Sequence, residues 1–376
     1  MNPVFRKVLA GLIIVAATAL LVPVLPARGQ APAGTKTPMM VGVKIYEYSG
    51  SLPELFEKWA SLGVNTAFVS ASLGANPEFR RLARKNGITT FLIFPVFFGG
   101  DELDKKPELY ALKADGTRAE EEWVKFACPT RDDYRAAKIE ELRRAVRDVD
   151  PDVLSLDFMR FFVFWEKVYP DRAPASLPDT CFTESCLADF AEEMGIRLPA
   201  GLRDTPAKAA WIRANKSGEW TEWKCRTIAS TVRTLAAEAR KIKPSIRINI
   251  HTVPWRKDDF GGAGRSIAGQ DLVRLAPLTD FLSPMAYHHM VRQTPDWVHA
   301  VTEDAFDRTR GRILPSIQVG QAYIEDAYPQ AEFERALDEA LKPPSAGVVF
   351  WSWDALAKSP ERAEAVRARF GRKAVR

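Results

Sequence analysis

Short apolar, β-branched runs alternate along the chain with longer segments whose apolar residues recur every three or four positions. The runs fall at residues 40–46, 65–70, 88–98, 152–158, 246–252, 280–287, 313–319 and 348–353. Segments of helical period follow them at 52–62, 77–86, 132–149, 219–241, 269–275, 295–308, 331–341 and 360–370. Strands with so few polar positions, separated by helices, predict a parallel sheet covered on both faces. Eight strand–helix units predict an α/β fold, a single (β/α)8 TIM barrel over residues 39–376. A doubly wound open sheet is the alternative. It would carry a glycine-rich phosphate turn after an early strand, and none follows the first strand here.

The first three strands are evenly spaced, and extra length then collects in two places, residues 99–131 and 159–218. Both stretches follow a strand, the third and the fourth, so both belong to the C-terminal face, where barrels of this kind carry their sites. Long loops within a compact domain are usually functional.

The N-terminus changes the picture of where the chain works. Arg6 and Lys7 precede an apolar run from Val8 to about Leu25, which ends at Ala27-Arg28-Gly29. This predicts a signal peptide over residues 1–29, cleaved before Gln30, and a flexible tether at 30–38. An uncleaved membrane anchor is the rival reading, because the run is close to the ~20 residues a spanning helix needs. Cleavage removes three positive charges and no acid, so the net charge falls from +5 to +2. A mature chain so near neutrality offers no electrostatic footing for nucleic acid or an anionic membrane. Periplasmic or extracellular localisation follows. Export also permits disulfides, but four cysteines in a chain this long pin loops rather than build a scaffold.

Candidate chemistry gathers at the predicted strand ends. Asp157 closes the buried fourth strand, in Leu154-Ser155-Leu156-Asp157-Phe158-Met159-Arg160. Carboxylates are seldom buried there unless paired or functional. It is the leading catalytic candidate, with a structural pair to Arg160 as the plainer alternative. For a second carboxylate, Glu47 stands between Tyr46 and Tyr48, and Asp354 follows Trp351-Ser352-Trp353. No spacing argument decides between these two or the loop acids. His251, His288 and His289 lie at the ends of strands five and six, while His299 is mid-helix. Arg160, Tyr46, His251, Tyr287, His288, Gln318, Trp351 and Trp353 are the expected substrate-binding set: flat rings stack on sugar faces while polar groups bind hydroxyls. The same histidines with Asp157 admit a metal-dependent hydrolase, although no HxH or HExxH spacing is present. No cofactor is expected. Cys181 and Cys186 share one loop, which predicts a disulfide; a zinc site needs four ligands and the loop shows two.

Several stretches resemble bacterial glycoside hydrolase-like (β/α)8 proteins. Residues 107–116 and 123–129 look like their loop after the third strand, and Leu154 to Arg160 is similar to their fourth-strand motif. Ser283-Pro284-Met285-Ala286-Tyr287 resembles their sixth. The segment 181–190 looks like the Cys-Phe-Cys-x-x-Cys loop of some such barrels, with Thr183 in place of the middle cysteine. The resemblance spans most of residues 40–356, in order. It implies carbohydrate chemistry with Asp157 as the matching acid, and it supplies no second carboxylate. Chitinase-like barrels end an Asp-rich fourth strand in a catalytic Glu; here the positions read Ser155, Asp157, Met159, which argues against their mechanism. The expectation is an exported glycoside hydrolase that uses two carboxylates. A non-catalytic carbohydrate-binding barrel is the alternative.

Overall fold

A computed structural model describes residues 39–371. The expected signal peptide and tether lie outside the described residues. Among the described residues no helix is long and apolar enough to cross a membrane.

Eight parallel strands form the barrel: β1 (Met40–Ile45), β2 (Thr66–Val69), β3 (Thr89–Pro95), β4 (Val153–Asp157), β5 (Arg247–Thr252), β6 (Phe281–Pro284), β7 (Ser316–Gln318) and β8 (Gly347–Trp351). Each pairs with its successor from β1 to β6, β7 pairs with β8, and β8 returns to β1. Isolated parallel bridges at Leu282–Ile313 and Met285–Ser316 link the remaining side. The β8–β1 seam needs Gly347. Its φ is +148°, and a Cβ there would stand 2.0 Å from the Met40 carbonyl oxygen.

Side chains alternate between the inside of the ring and the helices outside it. Inward positions build a small interior core of Met40, Phe68, Phe91, Ile93, Val153, Phe281, Leu314 and Val349. Toward the C-terminal ends the same inward rows turn polar, at Lys44, Ser155, Asp157, Asn249, His251, Ser283 and Ser316, all buried. Outward positions such as Val41, Val43 and Ile45 join Leu55, Phe56 and Trp59 of the first helix in a larger core.

The main covering helices are α1 (Leu52–Ser61), α2 (Pro77–Lys85), α3 (Asp132–Val149), α5 (Ser217–Ile242), α6 (Asp296–Thr309), α7 (Gln330–Leu341) and α8 (Pro360–Phe370), with α4 (Glu184–Met194) in the second insertion. Two expected elements differ. The segment 269–275 is helical only at Leu272–Leu275, and Trp353 opens a short helix, Trp353–Ala357, rather than ending β8.

Both insertions contain secondary structure. The first carries a hairpin, Glu120–Glu121 with Val124–Lys125. The second contains α4 and a further helix, Thr205–Asn215, neither anticipated from periodicity although both have polar N-caps. Thr183 Oγ1 accepts from Cys186 N–H at 3.2 Å, and Asp204 Oδ1 accepts from Ala207 N–H at 2.8 Å. The second insertion is anchored by buried Asp179, which accepts from Lys224 Nζ at 2.8 Å and from Trp220 Nε1 at 3.2 Å. The buried charge is tolerated because it is paired and hydrogen-bonded.

Candidate active site

A cavity of about 610 Å³ opens at the C-terminal ends of the strands, within the size range of small-molecule sites. Asp157 enters it from the end of β4, and its residue is only 9% exposed. Immediately after it the chain turns through Phe158 in the left-handed region, φ +47°. That turn brings the Phe158 N–H to Asp157 Oδ1 at 2.8 Å. A bulky residue there is strained, as happens at sites where geometry is over-determined.

Two cations flank the carboxylate. Lys44 comes from the inward row of β1, where it interrupts an otherwise apolar run. Its Nζ donates to the Tyr287 hydroxyl at 3.0 Å and to His251 Nδ1 at 3.3 Å. Burial lowers its pKa to about 8, against the pull of Asp157. Arg160 is buried in the second insertion with its guanidinium over the Phe158 ring, 4.8 Å from the centroid. His251 lies one layer beneath the cavity, and its Nε2 is 2.9 Å from Ser155 Oγ. Burial, reinforced by Lys44, lowers the His251 pKa to about 3. It is therefore neutral at physiological pH. Because Lys44 can only donate, Nδ1 accepts and the ring proton sits on Nε2. Ser155, Asn249 and Ser283 continue the network at 2.8 Å steps.

The decisive neighbour was not anticipated. Glu166, in the second insertion and 8% exposed, lines the same cavity. Burial raises its pKa to about 7, with Arg160 opposing and Asp157 adding to the rise. Asp157 behaves oppositely. Burial alone would raise it, but His251, Lys44 and Arg160 together leave it below the ordinary carboxylate range. Near neutrality His251 is uncharged, and the ionised Asp157 there faces the cations Lys44 and Arg160. Below about pH 7 one carboxyl thus keeps its proton while the other is ionised, a division found in acid–base sites. Glu166 Oε2 and Arg160 Nε also lack protein partners in the structure. Such groups are costly to bury unless a ligand meets them.

Aromatic rings make the walls. Tyr287 and Trp351 stack at 4.7 Å and 15°. Tyr46 is 38% exposed as a residue, yet its hydroxyl reaches in to accept from Trp351. Burial, aided by Asp157, keeps that phenol protonated. On the opposite rim Trp123, 44% exposed at the hairpin turn, donates from Nε1 to the Tyr323 hydroxyl at 3.0 Å.

Other expected site residues lie elsewhere. Glu47 and Asp354 are exposed and do not line the cavity. Glu47 falls on the outward parity of β1, and Asp354 sits in the first turn of its short helix. His288 and His289 face outward and share Glu332 of α7, each 3.0 Å from Oε1. Gln318 is consumed by backbone: its Oε1 accepts from Met290 N–H at 2.9 Å and its Nε2 donates to the Gly320 carbonyl at 2.7 Å. Trp353 packs edge-on against Trp59. Among the described residues His251, His288 and Asp157 therefore do not form a three-ligand metal group. Among the described residues the one group of three or more metal-ligating side chains is Cys128, Cys181 and Cys186. In place of the expected Cys181–Cys186 bridge these are buried free thiols. The third comes from the other insertion, where loop spacing could not reveal it.

No family model and no curated protein matches the sequence. Solved structures do. The glycoside hydrolase domain of PgaB (BpsB) from Bordetella bronchiseptica superposes with a TM-score of 0.67 at 13% identity, covering 89% of this chain and all of that one. The two share the (β/α)8-barrel fold. A β-galactosidase from the haloarchaeon Halorubrum lacusprofundi gives 0.61 at 13% identity over 88% of this chain. One from Marinomonas ef1 gives 0.61 at 11% over 88%. The chain spans 57% and 59% of the lengths of these two enzymes.

Proposed function

We propose that this chain is an exported glycoside hydrolase whose carboxyl pair is Glu166 and Asp157. The observation that carries the reading is that two buried acids face one aromatic-walled cavity in opposed surroundings, Asp157 beside two cations and Glu166 with its pKa raised by burial. Below about pH 7 Glu166 holds a proton and gives it to the oxygen of the departing sugar. Asp157, ionised between Lys44 and Arg160, takes the anionic role, as nucleophile at the anomeric carbon or as base for the attacking water. The unpartnered Arg160 Nε and the Tyr46 hydroxyl are donors available to sugar oxygens, and the Tyr287–Trp351 stack offers an apolar wall to a ring face. The likeness to glycoside hydrolase barrels agrees with this assignment. Export rests on Ala27-Arg28-Gly29 after the apolar run.

A panel of poly- and oligosaccharides assayed across pH tests the reading. The expected profile rises as Asp157 ionises, at a pH below the usual carboxylate range, and falls near pH 7 as Glu166 loses its proton. Product anomer by NMR assigns the role of Asp157. Saccharide binding with no cleavage at any pH would instead make the barrel a carbohydrate-binding protein.

A further inference from the structure

Cys128 lies at the end of the first insertion, while Cys181 and Cys186 flank the start of α4 in the second. The three ligand sulfurs all lie within 4.8 Å of one another, and Cys128 and Cys186 are 3.4 Å apart. All three cysteines are fully buried and none is bridged. Hydroxyls ring them: Cys128 Sγ is 3.2 Å from Thr183 Oγ1, 3.4 Å from Ser185 Oγ and 3.5 Å from Thr130 Oγ1. The cluster is enclosed by apolar side chains, yet each sulfur also has a hydroxyl oxygen within reach, Thr183 at 3.4 Å from Cys181 and Thr130 at 3.2 Å from Cys186, which a purely hydrophobic role does not call for. Three thiols from two separate insertions, aimed at one point among hydroxyls, are a donor set.

We propose that Cys128, Cys181 and Cys186 hold one zinc ion as a three-thiolate site whose fourth position, beside Thr183, is filled by water or another small ligand. With Zn–S of about 2.3 Å, thiolates of a tetrahedral site stand about 3.8 Å apart, so the observed spacing needs only small side-chain adjustment. Soft thiolates select zinc over magnesium or calcium. Thr183 Oγ1 stands beside the cluster, 3.2 Å from Cys128 Sγ and 3.4 Å from Cys181 Sγ, and it already accepts from Cys186 N–H as the cap of α4. A neutral hydroxyl so engaged is a poor fourth ligand. Thr130, Thr183 and Ser185 are only half-buried, so this corner is also the side from which solvent reaches the cluster. Binding needs no oxidant: each thiol gives up its proton and zinc keeps its oxidation state. The ion would tie the insertion bearing Trp123 to the one bearing Arg160 and Glu166. This inference stands apart from the hydrolase reading, since it concerns residues outside the cavity.

The test uses the reduced, metal-free protein titrated with cobalt(II) and then zinc(II). One cobalt per chain with thiolate charge-transfer absorbance, displaced by one zinc, is expected, along with a rise in melting temperature that a chelator reverses. Cys128→Ser should lose the bound metal and the absorbance. Thr183→Cys should bind zinc more tightly by completing the ligand set. If wild type binds no stoichiometric metal, the proposal fails, whether or not Thr183→Cys binds it. It also fails if protein purified without reductant or chelator carries no zinc and shows two of the three thiols masked until reductant is added. Should either variant fail to fold, metal stoichiometry and thiol counts on the wild type still decide.

Discussion

The two halves of the barrel use their strand ends differently. After β4 the chain places Asp157, Arg160 and Glu166 into one cavity, and the preceding insertion adds Trp123. After β6, β7 and β8 most of the polar and aromatic residues leave it. His288 goes to Glu332, Gln318 to backbone, Trp353 to Trp59, and Asp354 to solvent. Tyr287, Tyr323 and Trp351 are the exceptions, and all three contribute rings rather than charge. A strand end is thus not a sufficient address. The path of the chain beyond the strand decides whether a side chain is turned toward the mouth or spent on holding the outer layer.

The sharpest way to break this contrast is to remove the charges of the insertion half. Asp157→Asn and Glu166→Gln should each lower kcat by about 10²–10⁴-fold without unfolding the protein. Glu166→Gln has a second signature. A carboxyl whose folded pKa is about 7, against 4.5 unfolded, favours folding while protonated. That contribution is complete below pH 4.5 and lost as pH rises through 7, leaving the ionised group costing about 3 kcal/mol above it. The variant should therefore melt higher than wild type at pH 8 and no higher at pH 4. Full activity in Asp157→Asn, or a melting point of Glu166→Gln independent of pH, would dissolve the pair.

A smaller effect is expected at the rim. Trp123→Ala should raise KM for an oligosaccharide by up to about tenfold while kcat holds, because a stacked ring contributes about 0.5–1.5 kcal/mol. Loss of kcat instead would make the hairpin part of the reacting centre. The smallest effects belong to the exposed acids of the plain regions. Glu47→Gln and Asp354→Asn should leave kinetics unchanged and stability within about 0.5 kcal/mol. A large kinetic loss in either would erase the distinction between the two halves.

Most of the architecture was legible because apolar runs and helical periods are set by burial on a repeating pattern. All eight strands follow it, and the C-terminal rim and its two insertions follow from chain order. Asp157 was legible as a lone charge ending an apolar strand. Lys44 carried the same signal, a charge in Val-Gly-Val-Lys-Ile, and the parity that turns it inward also turns Glu47 outward. Glu166 was not legible. It lies in an aromatic loop with no repeat, and only the path of the second insertion brings it to Asp157. Trp353 misled because β8 stops at Trp351, two residues earlier than the apolar run implied. Cys128 stayed hidden because its neighbours Cys181 and Cys186 are distant in sequence.

The seam between β1 and β8 has a consequence for how the chain assembles. The pairing of Met40 with Gly347 and of Val43 with Phe350 joins nearly opposite ends of the barrel sequence. Its loop-closure entropy must be met before the ring gains the contacts that reward it. Closure therefore waits for the last strand, and a product ending before residue 347 would present β1 and β7 as open edges. Edges of that kind recruit other chains. Nascent or truncated protein should consequently depend on chaperone protection in a way that the closed barrel does not.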